Sequence, residues 1–300
     1  MMTPIQDHSS MSELPFKLPP SLTNAKRINT YKALFVFDVH QDGQTWALIF
    51  HHGKANEVGS SVLDELEQLC ADLESPHGPR SLISLSLRRS SKGTSIFIAG
   101  ANVTERADWS DDRVKSHVRR QRSILQRLRR APLFHLCLIN GVALGWGTEY
   151  LITADYKIAT IEATFALPET GLGILPGAGG TSELSRLIGP AHTLRLGMTG
   201  EMIDSKEALR IGLIQEEVSH LDDALARALT LTHLISRKSP TALAAYKSGV
   251  LASMGERAEL RSEIEAEAYE RCVDSGEAAI GRRDFHLIKT GETPAWSPRS

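Results

Sequence analysis

The sequence predicts an α/β layered core that gives way to a helical C-terminal region. Two observations carry this. Between residues 31 and 167, short β-rich runs alternate with helical periodicities, and strand–helix–strand–helix order implies strands layered with helices. From about Ser182 onward the apolar spacing is almost wholly helical. With 41% hydrophobic residues and a net charge of −2, the 300-residue chain reads as globular, with a sizeable core.

Residues 1–29 hold Pro15, Pro19 and Pro20, several serines and little periodicity, so a flexible tail, loose or draped, is expected there. Residues 33–38 and 45–50 are β-rich runs bounded by Asp42-Gly43 and Gly53, the pattern of a hairpin. Val62, Leu63, Leu66, Leu69 and Leu73 recur at three- and four-residue steps, so residues 61–74 are predicted helical. Residues 81–87 read as a strand. Residues 110–130 read as a helix, opened by Ser110 with Asp111 and Asp112 in the first turn. Residues 133–139 form a buried strand running into Asn140-Gly141. A helix over 148–154, a strand over 156–160 and a short run at 163–167 follow. The remaining helices are expected at 182–188, 190–198, 205–211, 221–236, 240–254 and 256–274, with coil from Thr293.

Several function classes lack support. The balanced charge favours neither nucleic acid nor an acidic substrate. Cys70, Cys137 and Cys272 are odd in number and far apart, which favours reduced thiols and a cytoplasmic location. No apolar stretch approaches the ~18 residues a membrane span needs, and no basic segment followed by an apolar core marks a secretory signal. His51-His52 adjoin a turn and read as strand-end residues, so no metal site is expected. A phosphate loop, a Gly-x-Ser-x-Gly elbow and a His-Glu-x-x-His motif are all missing.

Chemistry concentrates in three segments. Phe97-Ile-Ala-Gly-Ala-Asn102 ends an apolar strand in small residues, either as an ordinary turn or to leave N–H groups open to a ligand. Asn140-Gly-Val-Ala-Leu-Gly-Trp-Gly-Thr-Glu149 starts a helix between glycines, where free N–H groups favour negative charge. Taken alone, Glu149 fits either a dipole-complementing acid, a contribution of ~0.3–1 kcal/mol, or a catalytic carboxylate. Phe165-Ala-Leu-Pro-Glu169 then leads through turn residues to Pro176-Gly-Ala-Gly-Gly-Thr181. Two carboxylates near each other can divide acid and base work on one substrate.

In this order and spacing the segments, with Met198-Thr-Gly200, resemble the crotonase superfamily, the enoyl-CoA hydratase/isomerase fold. The similarity runs roughly over residues 31–254. It implies a spiral of β-β-α units over 30–218 and a helical region over 219–300 that builds trimers or dimers of trimers. It also implies an acyl-CoA thioester as substrate, with no cofactor. By the same resemblance, the Ala101 and Trp146 N–H groups would hold the thioester oxygen, and Glu149 and Glu169 would be the catalytic pair. Gly177 would help hold a reacting water, while Ala99, Gly100 and Gly145 would lie against the substrate. Keeping both glutamates points to hydration of a trans-2-enoyl-CoA; an isomerase, lyase or hydrolase of the same fold is the alternative. The chain departs from the family in Trp146, where glycine is usual, and in Asn102, where aspartate is usual.

Two basic stretches leave choices open. Arg88, Arg89 and Lys92 fit CoA phosphates or a solvated loop. The helix over 113–130 carries Arg113, Lys115, Arg119, Arg120, Arg122, Arg127, Arg129 and Arg130. Such a comb could bind RNA on the same scaffold, but a solvated face is the expected reading in a slightly acidic chain.

Overall fold

A computed structural model describes residues 14–299, and the first thirteen residues of the predicted tail lie outside that range. The rest of that tail is packed. Leu18, Leu22 and Ala25 are buried, and strand β1 (Lys26–Arg27) pairs antiparallel with β2 (Leu34–Asp38). The prolines therefore mark a draped segment, and its apolar residues cover one face of the first sheet.

The hairpin forms as expected, β2 pairing antiparallel with β3 (Thr45–Phe50). Helix α1 (Ser60–Glu74) buries the predicted leucine stripe. Strand β4 (Ser81–Ser86) then pairs parallel with β3. Next come β5 (Arg88–Arg89), β6 (Ser95–Ile98) and the long helix α2 (Asp111–Arg130), whose Ser110 cap accepts from the Arg113 N–H. The chain continues through β7 (Phe134–Ile139), β8 (Val142–Leu144), α3 (Trp146–Leu151), β9 (Tyr156–Thr160) and β10 (Thr164–Ala166).

The strands sort into two sheets in a repeating way. The first of each pair (β4, β7, β9) enters one sheet, and the second (β6, β8, β10) enters the other. Within each set the pairing is parallel, so each turn of chain advances both layers by one strand. This is the β-β-α spiral. Helix α4 (Glu183–Thr199) follows, bent at Gly189 (φ 76°) just before Pro190, which is why the periodicity divides there. Strand β11 (Ile203–Asp204), helix α5 (Ser205–Arg210) and strand β12 (Glu216–Val218) close the two sheets.

The C-terminal region is helical: α6 (Leu221–Ser236), α7 (Pro240–Ser253), α8 (Ala258–Asp274), α9 (Glu277–Arg283) and α10 (Phe285–Thr290). The last two lie where no helix is expected from periodicity, since each spans under two turns. The coil beyond them is anchored. Arg299 donates to the Pro132 carbonyl at 2.6 Å and to the Leu73 carbonyl at 2.8 Å, and Trp296 Nε1 donates to the Arg237 carbonyl at 3.0 Å. Among the described residues no helix is long and apolar enough to cross a membrane.

Candidate active site

The expected oxyanion donors are set by two close approaches of backbone. After β6, Gly100 takes φ 114°, a conformation open to glycine. Val58 forms a parallel bridge to Ala101: its N–H bonds the Gly100 carbonyl and its carbonyl accepts from the Asn102 N–H, both at 2.9 Å. Both bonds of this bridge use Ala101's neighbours, so the Ala101 N–H points to the other side, toward the cavity. The second donor comes from the start of α3. Gly145 (φ 50°) is its N-cap and Trp146 its first residue, whose N–H has no intrahelical acceptor. Thr148 Oγ1 ties this turn to both neighbouring strands through the Ala143 and Ala166 carbonyls (2.9 and 3.0 Å).

Trp146 needs no unusual backbone, because among the described residues only Gln41 and Asn56 are non-glycines with positive φ. Its indole is 2% exposed, packed against Tyr150 at 5.6 Å, and forms a wall of the cavity where a glycine would leave space. Helix α3 therefore begins two residues before the predicted 148, and β8 precedes it as a separate short strand.

Glu149 lies on the first turn of α3, 4% exposed. Its Oε1 accepts from the Ala178 N–H at 2.6 Å and the Gly180 N–H at 2.9 Å. Burial raises its pKa, while these N–H groups and the Arg122 charge oppose that rise. The Gly177 carbonyl accepts from Arg122 Nε at 2.7 Å, and its neighbours Ala178 and Gly180 supply the N–H groups that hold the carboxylate. A side chain at Gly180 would press on Pro176 and Glu149, which accounts for one glycine of the run.

Glu169 sits in a 3-10 turn, Pro168–Leu172, ended by Gly173 in the left-handed conformation. Its Oε2 is enclosed without a hydrogen-bond partner. A methyl group on Gly145 would stand 2.6 Å from its Oε1, so the residue that starts α3 also makes room for the second carboxylate. Burial first, and the Glu149 charge as a lesser cause, push the Glu169 pKa up to about 7. Both glutamates, Ala99, Gly100, Ala101, Gly145, Trp146 and Gly177 line one cavity of about 230 Å³. The eight residues that the resemblance assigns to the site are thus brought to one place. The sequence reading missed Arg106, Gln121 and Ala178. Arg106 and Gln121 carry no motif, and only Ala178, inside the glycine run, stood in a marked segment.

Two other hollows are separate. Arg88 and Arg89 line one of about 210 Å³ with Asn140 and Glu162, and its lining includes neither Glu149 nor Glu169. A larger apolar cleft of about 650 Å³ runs between α7 and the Leu133, Ile152 and Leu187 side chains, and holds none of the predicted site residues.

A two-layer β-β-α spiral with paired N–H donors beside one buried and one half-buried carboxylate defines an acyl-thioester enzyme of the crotonase class. The chain belongs to the enoyl-CoA hydratase/isomerase family, whose sequence profile matches residues 56–287. It is 33% identical over 235 residues to the Bacillus subtilis protein YngF, covering 77% of this chain and 86% of that one. It is 28% identical over 238 residues to the short-chain-enoyl-CoA hydratase of Clostridium acetobutylicum, covering 79% and 89% of the two chains. The crystal structure of an enoyl-CoA hydratase from Bacillus anthracis superposes with a TM-score of 0.79 at 27% identity, covering 89% of this chain and all of that one.

Proposed function

We propose that the protein is an enoyl-CoA hydratase, a hydro-lyase that adds water across the C2–C3 double bond of a trans-2-enoyl-CoA. The observation that carries this reading is the pair of carboxylates on one cavity with unlike surroundings. Glu149 is held by two N–H groups, and Glu169 is half-buried, with its Oε2 enclosed and without a partner, and poised near neutrality. Unlike environments of this kind separate an acid from a base.

In the mechanism, the Ala101 and Trp146 N–H groups take the thioester oxygen and draw electron density from C3. Glu149 removes a proton from the water that attacks C3, and the electron pair moves onto the oxygen. Glu169 then gives its proton to C2 as the enolate collapses. Every proton is handled by side chains of this chain, so the reaction calls for no cofactor beyond the coenzyme A of its substrate. Removing one such donor elsewhere costs ~2.7–4 kcal/mol, so the hole should supply a large share of the rate. A homotrimer or a dimer of trimers, acting in the cytoplasm, completes the proposal.

The test is loss of enoyl absorbance from crotonyl-CoA with wild type, Glu149→Gln and Glu169→Gln. Each substitution should lower kcat by at least about a hundredfold, with little change in CoA binding. Undiminished activity in the double variant would end the mechanism.

A further inference from the structure

The cavity contains hydrogen-bond donors that hydration leaves unused. Arg106 ends the 3-10 turn Thr104–Arg106, a few residues past Ala101, and lines the cavity. Its Nε and Nη2 are enclosed and have no hydrogen-bond partner. The adjacent acid, Glu105, is engaged elsewhere: its carboxylate accepts from the Ser60 N–H at 2.9 Å and from the Ser60 hydroxyl. Gln121, projecting from α2, is 3% exposed, lines the same cavity, and its Nε2 has no partner. A buried amide donor and a guanidinium fork left unmade in one chamber are costly unless a ligand completes them.

The other acids of the cavity do not meet this need. Glu149 is committed to Ala178 and Gly180 through Oε1, Glu57 lies at the exposed rim, and neither they nor Glu169 forms an ion pair with Arg106 among the described residues. The missing partner is therefore an acceptor, and a planar fork is best matched by a carboxylate. Coenzyme A also carries anionic groups, but the whole pantetheine arm separates its phosphates from the thioester. Arg106 shares a chamber of about 230 Å³ with the residues that would hold the reacting carbons. That volume, walled by Trp146, is below the ~300–1,000 Å³ of ordinary ligand pockets, so the acyl group must be short.

We infer that the acyl group carries a carboxylate at its far end, held by Arg106 and Gln121, so that the substrate is a short dicarboxylic acid linked to coenzyme A by one thioester. This rests on the acyl-CoA reading above and narrows it. A carboxylate two or three carbons beyond the double bond would draw its charge-assisted bonds from Arg106 while the thioester oxygen sits on Ala101 and Trp146.

The experiment separates binding from chemistry. Glutaryl-CoA and pentanoyl-CoA, saturated and differing in the terminal carboxylate, are titrated calorimetrically into wild type, Arg106→Met and Gln121→Leu. Hydration of glutaconyl-CoA and crotonyl-CoA is followed alongside. Wild type should favour glutaryl-CoA about tenfold or more, and Arg106→Met should lower that preference about 10- to 100-fold. Gln121→Leu should lower it by a smaller factor, and it serves as the test should Arg106→Met fail to fold. No preference in wild type, or an equal loss for both thioesters as expected of a phosphate contact, overturns the inference. Crotonyl-CoA hydration without a glutaryl preference would sink this inference and leave the hydratase reading standing. A glutaryl preference with neither enoyl-CoA hydrated would do the reverse.

Discussion

Glu169 sets the pH behaviour expected of the site. Its enclosure, with the Glu149 charge beside it, pushes its pKa up to about 7. A proton donor to C2 must be protonated, so kcat/KM for hydration should fall as pH rises through about 7, approaching tenfold per unit beyond. Glu149, also raised by burial, must be ionised to act as base, so activity should fall again on the acid side. A profile of kcat/KM against pH checks both limbs; one that stays level on the alkaline side would remove Glu169 as the acid. Gly145 makes a second prediction. Gly145→Ala places a methyl 2.6 Å from Glu169 Oε1 and forces alanine to φ 50°, so the carboxylate must move. A shift of ~1 Å at a reacting group costs about a hundredfold. The variant's kcat should therefore drop by about that factor while its thermal midpoint changes by only a few degrees. Retained kcat would show that Glu169 tolerates displacement.

Among the elements, α2 shows how a striking charge pattern in sequence is used up by packing. Arg120 pairs with Asp64 at 2.5 Å and Glu67 at 2.7 Å, and Arg127 with Glu74 at 2.7 Å, all acids of α1. Arg122 holds the Gly177 carbonyl, Arg129 pairs with Glu183 at 3.1 Å, and the Arg113 guanidinium stacks 4.1 Å from the Trp109 ring. Five of the eight cations that spacing alone arranges as a comb are therefore turned toward neighbours off the helix, while Lys115 meets Asp112 of its own first turn and Arg119 and Arg130 stay exposed. We expect no RNA retention on filters at low salt, and retention that falls steeply with added salt would revive that reading. These pairs are partly exposed, so Arg120→Ala with Arg127→Ala should cost only about 1 kcal/mol in denaturant unfolding, and less at high salt. Helices with several turns of apolar stripe, such as α1 and α6, were legible in sequence to within about a residue. β8 was not, because three residues cannot display a period.

At the scale of the whole molecule, the C-terminal helices leave apolar residues uncovered. Tyr246 on α7 is 76% exposed, Tyr269 on α8 71%, and Phe285 on α10 57%. Side chains of this size left in water suit burial against further copies of the chain, as the trimer proposal requires. Light scattering should give three or six times the 32.9 kDa of one chain, and a monomer at micromolar concentration would contradict the proposal.

The sequence by itself determined the layered class, most of the helices and the two glutamates with their glycines. Those features are written in local terms: periodicity, turn chemistry and short motifs. The tertiary structure alone decided that Trp146 walls the cavity, that Ala178 and Gly180 hold Glu149, and that Arg106 Nε and Nη2 and Gln121 Nε2 are left without partners beside it. These depend on segments far apart in the chain meeting in space. No local pattern records which buried donor finds a partner, because that partner is chosen only when the sheets and α2 pack together.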